Sequence, residues 1–202
     1  MKLYTGMGPN PRVVTVAIAE IGADVELVEV DLMAGENRKD EHLARNPAGQ
    51  IPTLETDGGD FIAEITAIVE YLDEKQGGSL IGSNAEERAE TRMWTRRIDL
   101  NIIEPLGSGF RFAEGLPLFQ TRIHVIPQAA DDFKQIAQEQ LAKLDGQIEG
   151  RDFICGDRFT LADILLFAFL EFGSAVGQPL DAKCSNLQAW YERVAARPSI
   201  AA

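Results

Sequence analysis

The spacing of apolar positions changes along the chain, and each change predicts an element. "KLYT" (2–5) is a short strand. Val13, Val14, Ala17, Ile18 and Ile21 then recur at helical spacing, with Gly22 as the stop. In "DVELVEVDL" (24–32) apolar Val25, Leu27 and Val30 interleave with acids, and although Val28 breaks strict alternation the stretch predicts a second strand. The polar "MAGENRKDEHLARNPAG" (33–49) predicts irregular chain or a short helix. "QIPTLETDGGDFIAE" (50–64) reads as two strands joined around Asp57-Gly58-Gly59, a hairpin signal. From Glu64 onward, Ile65, Ile68, Val69 and Leu72 mark an amphipathic helix that ends before Gly77.

Strand–helix–strand followed by strand–strand–helix is the order of a thioredoxin-like α/β domain with a mixed sheet, here residues 1–76. Glycine- and serine-rich "GGSLIGSNA" (77–85) predicts a linker. Beyond it strand signals vanish. Helical periods appear at 86–103, 131–148, 160–172 and 187–196, so residues 86–202 are expected to form an all-helical domain. The fold class is thus α/β plus all-α.

Charge narrows the function. The chain of 202 residues carries a net charge of −13, which repels nucleic acid and anionic lipid. Neither is an expected partner. "MKLYTGMGPN" lacks the apolar core of a signal peptide, and the longest apolar run, Ile164 to Leu170, is too short to span a bilayer. A cytoplasmic location follows as the expectation. Cys155 and Cys184 lie far apart with no CxxC, so they read as free thiols, and a thioredoxin-type oxidoreductase is nearly excluded. His42 and His124 are the only imidazoles, so no metal site is expected.

The first turn, Gly6-Met7-Gly8-Pro9-Asn10-Pro11, invites a phosphate-loop reading. It fits two glycines of the dinucleotide fingerprint, but the third falls on Pro11, and no Gly-Lys-Ser/Thr follows. That reading fails.

"NPAGQIPTL" (46–54), "FIAEITAIVEYL" (61–72), "FTLADI" (159–164) and "AWYERVAARPSI" (189–200) stand in order along the chain. Together they resemble the cytosolic glutathione transferases of bacterial type, nearest in motif to the beta, nu and phi classes. The resemblance covers nearly the whole chain. It implies that Pro52 is the family's cis-proline, presenting the backbone of Ile51 to glutathione like an added strand. It implies that Glu64 meets the γ-glutamyl ammonium, and that the helix opening at Ile65 takes the γ-glutamyl carboxylate on its free N–H groups. Asn37 and Arg38 fall where phi-class residues contact the glycine carboxylate, with Gln50 at a neighbouring contact. Thr160 and Asp163 match a buried capping box. Trp94, Phe110, Phe112 and Trp190 read first as core, with Phe110 and Phe112 the best candidates of the four for an electrophile pocket. A homodimer, glutathione as co-substrate and a detoxifying role are further implications.

The chain departs from the family where the thiol is activated. Serine classes carry Ser near Gly8 or Pro9, beta-class enzymes carry Cys at Asn10, and the usual Ser after the acid is Ile65 here. A thiol of pKa about 8.5 needs help to ionise at neutral pH. Two candidates remain. The Asn10 amide can donate to the thiolate, as in the TPN stretch of nu-class enzymes, or it can simply cap the helix. Tyr4 is the other, by analogy with alpha-type enzymes, or it can be packing. Arg12 is expected to stabilise the domain. The expected reaction is attack of the thiolate on an electrophile, disulfide or peroxide. The alternative is a non-catalytic binding protein for glutathione or hydrophobic ligands.

Overall fold

The computed structural model describes residues 1–201. Four strands form one mixed sheet in the order β2-β1-β3-β4. Strand β1 (Lys2–Thr5) leads into helix α1 (Pro9–Ile21), and β2 (Glu26–Glu29) returns parallel to β1, pairing Leu3 with Leu27. A 3₁₀ turn (Glu36–Arg38) and α2 (Asp40–Arg45) follow, where the sequence predicted irregular chain or a short helix. Strands β3 (Thr53–Glu55) and β4 (Phe61–Ile62) form the expected hairpin, and β3 runs antiparallel to β1 with Leu54 opposite Leu3. Helix α3 (Ile65–Gln76) closes this part.

Strand β2 is four residues long rather than nine, because it forms the sheet edge and has a partner on one side only. Leu27, expected on its apolar face, is 55% exposed. Gly6 and Gly8 have steric duties. A Cβ on Gly6 would lie 2.7 Å from the Val30 carbonyl, and Gly8 has φ +119°, a backbone that L side chains rarely adopt.

The remainder is helical: α4 (Ala85–Ile98), a π turn (Asp99–Ile103), α5 (Glu104–Phe112), α6 (Leu116–Phe119), α7 (Ala130–Gln147), α8 (Leu161–Ala175), α9 (Ser185–Ala195) and α10 (Pro198–Ala201). Sequence predicted one helix ending at Ile103, but the chain continues through the π turn into α5. Pro105 brings no N–H for the usual bond four residues back, and the Glu104 N–H reaches the Asp99 carbonyl five residues back instead. Helix α8 is buried on all sides, which explains its unbroken apolar run.

One core spans both parts: Leu3, Val14 and Ile68 belong to the same cluster as Leu141, Leu165 and Trp190. Polar clamps reinforce it. The Asp73 carboxylate accepts the N–H groups of Leu80 and Ile81 at 3.0 and 3.1 Å, sinking the segment between α3 and α4. Arg12 donates to the Ile200 carbonyl and to Glu171, tying α1 to the helical part as expected. Thr160 and Asp163 form the capping box of α8. Cys155 and Cys184 are free and buried. Among the described residues no helix is long and apolar enough to cross a membrane, and no cluster of three or more His, Cys, Asp or Glu could hold a metal.

Candidate active site

The site is built outward from a loop between α2 and β3. Three side chains converge on the Gln50 carbonyl: His42 Nε2 at 3.0 Å, Asn46 Nδ2 at 3.0 Å and Thr53 Oγ1 at 3.2 Å. Asn37 Nδ2 donates to the neighbouring Gly49 carbonyl at 2.7 Å. The loop is therefore fixed from beneath. The Ile51–Pro52 peptide is cis, and among the described residues the backbone groups of Ile51 bond to no other part of the chain.

Beside this loop lies a cavity of about 330 Å³ between the two parts of the molecule. Asn46, Gln50, Ile51 and Pro52 form one wall, and two helix N-termini open onto it. Pro9 and Asn10 come from α1, whose N-cap is Gly8 and which no side chain caps. Glu64, Ile65 and Thr66 come from α3, likewise without a side-chain cap. Among the described residues, the N–H groups of Ile65 and Thr66 at the start of α3 are free, whereas Pro9 and Pro11 leave only the Asn10 N–H in the first turn of α1. With the two helix dipoles this is a favourable setting for negative charge. Glu64 has φ +68°, and among the described residues no other non-glycine has a positive φ. The opposite wall sets Asp99, Glu104 and Arg111 beside apolar Ile103, Leu165, Phe169 and an edge-to-face group in which Phe110 meets Phe172 at 4.9 Å and Phe119 at 6.1 Å between centroids. A polar cleft floor beside an aromatic pocket is suited to a peptide thiol meeting an apolar partner.

Comparison with known proteins decides the family. Residues 1–74 match the description "Glutathione S-transferase, N-terminal domain" and residues 116–198 match "Glutathione S-transferase, C-terminal domain". The chain belongs to the glutathione transferase family. It is 34% identical to Glutathione S-transferase 2 of Saccharomyces cerevisiae, across 97% of this chain and 85% of that protein. Its fold superposes on a glutathione S-transferase domain-containing protein of Marinobacter aquaeolei VT8 with a TM-score of 0.93 and 39% identity, covering 99% and 100% of the two chains. The crystal structure of Gtt2 from Saccharomyces cerevisiae gives 0.92 at 33% identity, covering 100% and 99%.

Of the positions that the transferase resemblance singled out, Asn10, Gln50, Ile51, Pro52, Glu64, Ile65 and Phe110 line this cavity, and four others do not. Tyr4 lies on the far face of the sheet with Val30 and Ile51, under the Arg45 guanidinium at 4.2 Å from its ring. Its hydroxyl donates to Glu55 at 2.7 Å; that bond and burial push the phenol's pKa up, with Arg45 opposing. Tyr4 thus faces away from the cavity, as period two dictates when Leu3 faces the main core. Asn37 is buried beneath Gly49 and holds the loop, so it offers no direct ligand contact. Arg38 is exposed outside the cavity, near Gly49. Phe112 also misses the pocket and packs against Phe133 at 5.7 Å.

The transferase cavity includes residues that sequence reasoning missed: Thr66, Asp99, Glu104, Arg111, Phe119 and Phe172. Thr66 places a hydroxyl one position after the expected Ser. Burial pushes the Asp99 carboxyl up, Arg96 opposes, and Glu104 and Glu64 add to the rise. The one usable signal was the seven-residue spacing of Glu104 and Arg111, which puts both on one helix face.

Proposed function

We propose that this chain is a glutathione transferase in activity, holding glutathione as co-substrate with its thiol beside Asn10 and directing the thiolate at a small hydrophobic electrophile, disulfide or peroxide. One observation carries the reading: the Ile51–Pro52 loop, Glu64 at the start of α3 and Asn10 at the start of α1 share one cavity with an aromatic wall. Glutathione pairs with the free backbone of Ile51 as an added strand. Its γ-glutamyl ammonium meets Glu64 and Asp99, and its γ-glutamyl carboxylate meets the N–H groups of Ile65 and Thr66. Gln50 and, farther out, Arg38 face its glycine end. The Asn10 amide donates to the sulfur, the α1 dipole adds to the stabilisation, and the thiol proton leaves to water.

The test is retention on immobilised glutathione together with turnover of an aryl halide, a disulfide or a hydroperoxide. Retention without turnover of any of the three supports the binding-protein alternative, which the missing hydroxyl at the first turn favours. Asn10→Ala removes a hydrogen bond to the charged sulfur, so the pKa of the bound thiol should rise by about one unit. At neutral pH the rate should then fall about tenfold and recover in alkali. Thiolate absorbance against pH reads this directly, and an unchanged profile removes Asn10 from the mechanism.

The functional unit in this reading is a cytoplasmic homodimer that clears toxic electrophiles. Exposed Phe61, Met93 and Leu100 support pairing. Light scattering should report twice the mass of one chain, and a monomer mass would refute it.

A further inference from the structure

The cavity wall carries three acids, Glu64, Asp99 and Glu104, and a single cation, Arg111. Arg111 is anchored through Glu104, which Ser108 in turn braces. Its Nη1 donates to Glu104 Oε1 at 3.0 Å, and Ser108 Oγ donates to the same oxygen at 3.1 Å. Gly107, one turn before Arg111, leaves space for the guanidinium to lie back along α5: a Cβ there would stand 3.1 Å from Nη2 and 3.4 Å from Cζ. The fork consequently lies against bare helix backbone, with the side chain 32% exposed. Phe110 and Phe119 line the same cavity, so an aromatic ring seated against them shares that space with a planar hydrogen-bond donor.

We infer that Arg111 is a catalytic residue for the electrophile, selecting neutral aromatic substrates that carry a carbonyl or nitro oxygen. The inference rests on the transferase reading above. In conjugate addition the glutathione sulfur bonds to the β-carbon of an aryl enone, and the C=C pair shifts to leave negative charge on the carbonyl oxygen. The α-carbon then takes a proton from water. Arg111 donates from Nη2 to that oxygen and stabilises the charge as it forms, an interaction stronger in the transition state than before it. A carboxylate-bearing electrophile is disfavoured, because Glu104 already answers the guanidinium and Glu64 and Asp99 leave the cavity negative.

Wild type, Arg111→Gln and Arg111→Lys are compared on two neutral aryl electrophiles. In trans-4-phenyl-3-buten-2-one charge gathers on a carbonyl oxygen; in benzyl chloride it departs with chloride and no acceptor oxygen is present. Arg111→Gln should lower the enone-to-benzyl chloride ratio of kcat about tenfold, the value of one hydrogen bond to a charged group. Arg111→Lys, which keeps the charge without the fork, should recover part of it. The enone KM should change less than the enone kcat. Parallel loss on both electrophiles, or no change in the ratio, overturns the inference. Wild type that turns over benzyl chloride but not the enone also overturns it. Wild type that is neither retained on immobilised glutathione nor active on either electrophile refutes the transferase reading itself, and the role of Arg111 with it.

Discussion

Asp163→Ala should cost the fold about 3–5 kcal/mol, read as a lower urea midpoint at unchanged slope. Asp163 has no exposed surface, and its carboxylate accepts four hydrogen bonds: the N–H groups of Ile154 and Thr160 at 2.9 Å, the Thr160 hydroxyl at 3.1 Å and the Trp190 indole at 2.9 Å. Burial pushes its carboxyl up, and the bonds from Ile154, Trp190 and Thr160 oppose that. Alanine would leave the Ile154 and Thr160 N–H groups and the Trp190 indole buried without an acceptor, while the Thr160 hydroxyl keeps Cys155 Sγ at 3.6 Å. Unsatisfied groups cost more than satisfied ones return. The affected residues belong to the chain entering α8, to the start of that helix and to α9, so the damage falls where three segments meet. Typical domains hold only about 5–15 kcal/mol in reserve, so the variant should sit near the edge of folding at room temperature. A loss below about 1 kcal/mol would refute this account of the network.

Glu64→Gly should move stability and binding in opposite directions. A non-glycine residue at φ +68°, ψ +121° carries strain of about 1–3 kcal/mol, and glycine removes the Cβ that causes it. After glycine's larger loss of chain entropy, a net gain of about 1 kcal/mol remains in urea unfolding. Glutathione affinity, measured by calorimetric titration, should fall about ten- to hundredfold, because one of the two carboxylates proposed to meet the γ-glutamyl ammonium has gone. Glu64→Ala separates the two effects: it loses the carboxylate yet keeps the Cβ, so binding falls with no gain in stability. If the glycine variant binds glutathione as wild type does, Glu64 is not a ligand contact.

Much of the architecture was legible because local pattern and tertiary role agree. Val13, Val14 and Ala17 are buried where helical spacing puts them, and Thr160 with Asp163 forms the box that their spacing foretold. Edges were less legible. Leu27 looked like core because periodicity records which side a residue faces, not whether anything covers that side. The stretch after Ile103 shows no helical period in sequence, and Pro105, Gly107 and Gly109 fall in it. Gly109 is there for spacing, however: a Cβ would come within 2.7 Å of Lys134 on α7.

The candidate site divides the same way. Residues inside the quoted motifs, from Gln50 to Ile65, could be placed because their neighbours in sequence are their neighbours in space. Arg111, Phe119 and Phe172 could not, since only packing of α5, α6 and α8 against the first part brings them to the same cavity. Asn37 differs. It stands in the chain just ahead of those motifs, but its amide turns inward to support Gly49.

The Asp73 clamp has a consequence for how ligands enter. With Leu80 and Ile81 pinned to the end of α3, and the Leu161 N–H bonded to the Leu80 carbonyl, the crossover strap is tied to both parts of the molecule. The same bonds help set the separation of the two cleft walls. Walls placed by folding lower the entropic cost of aligning two reactants between them.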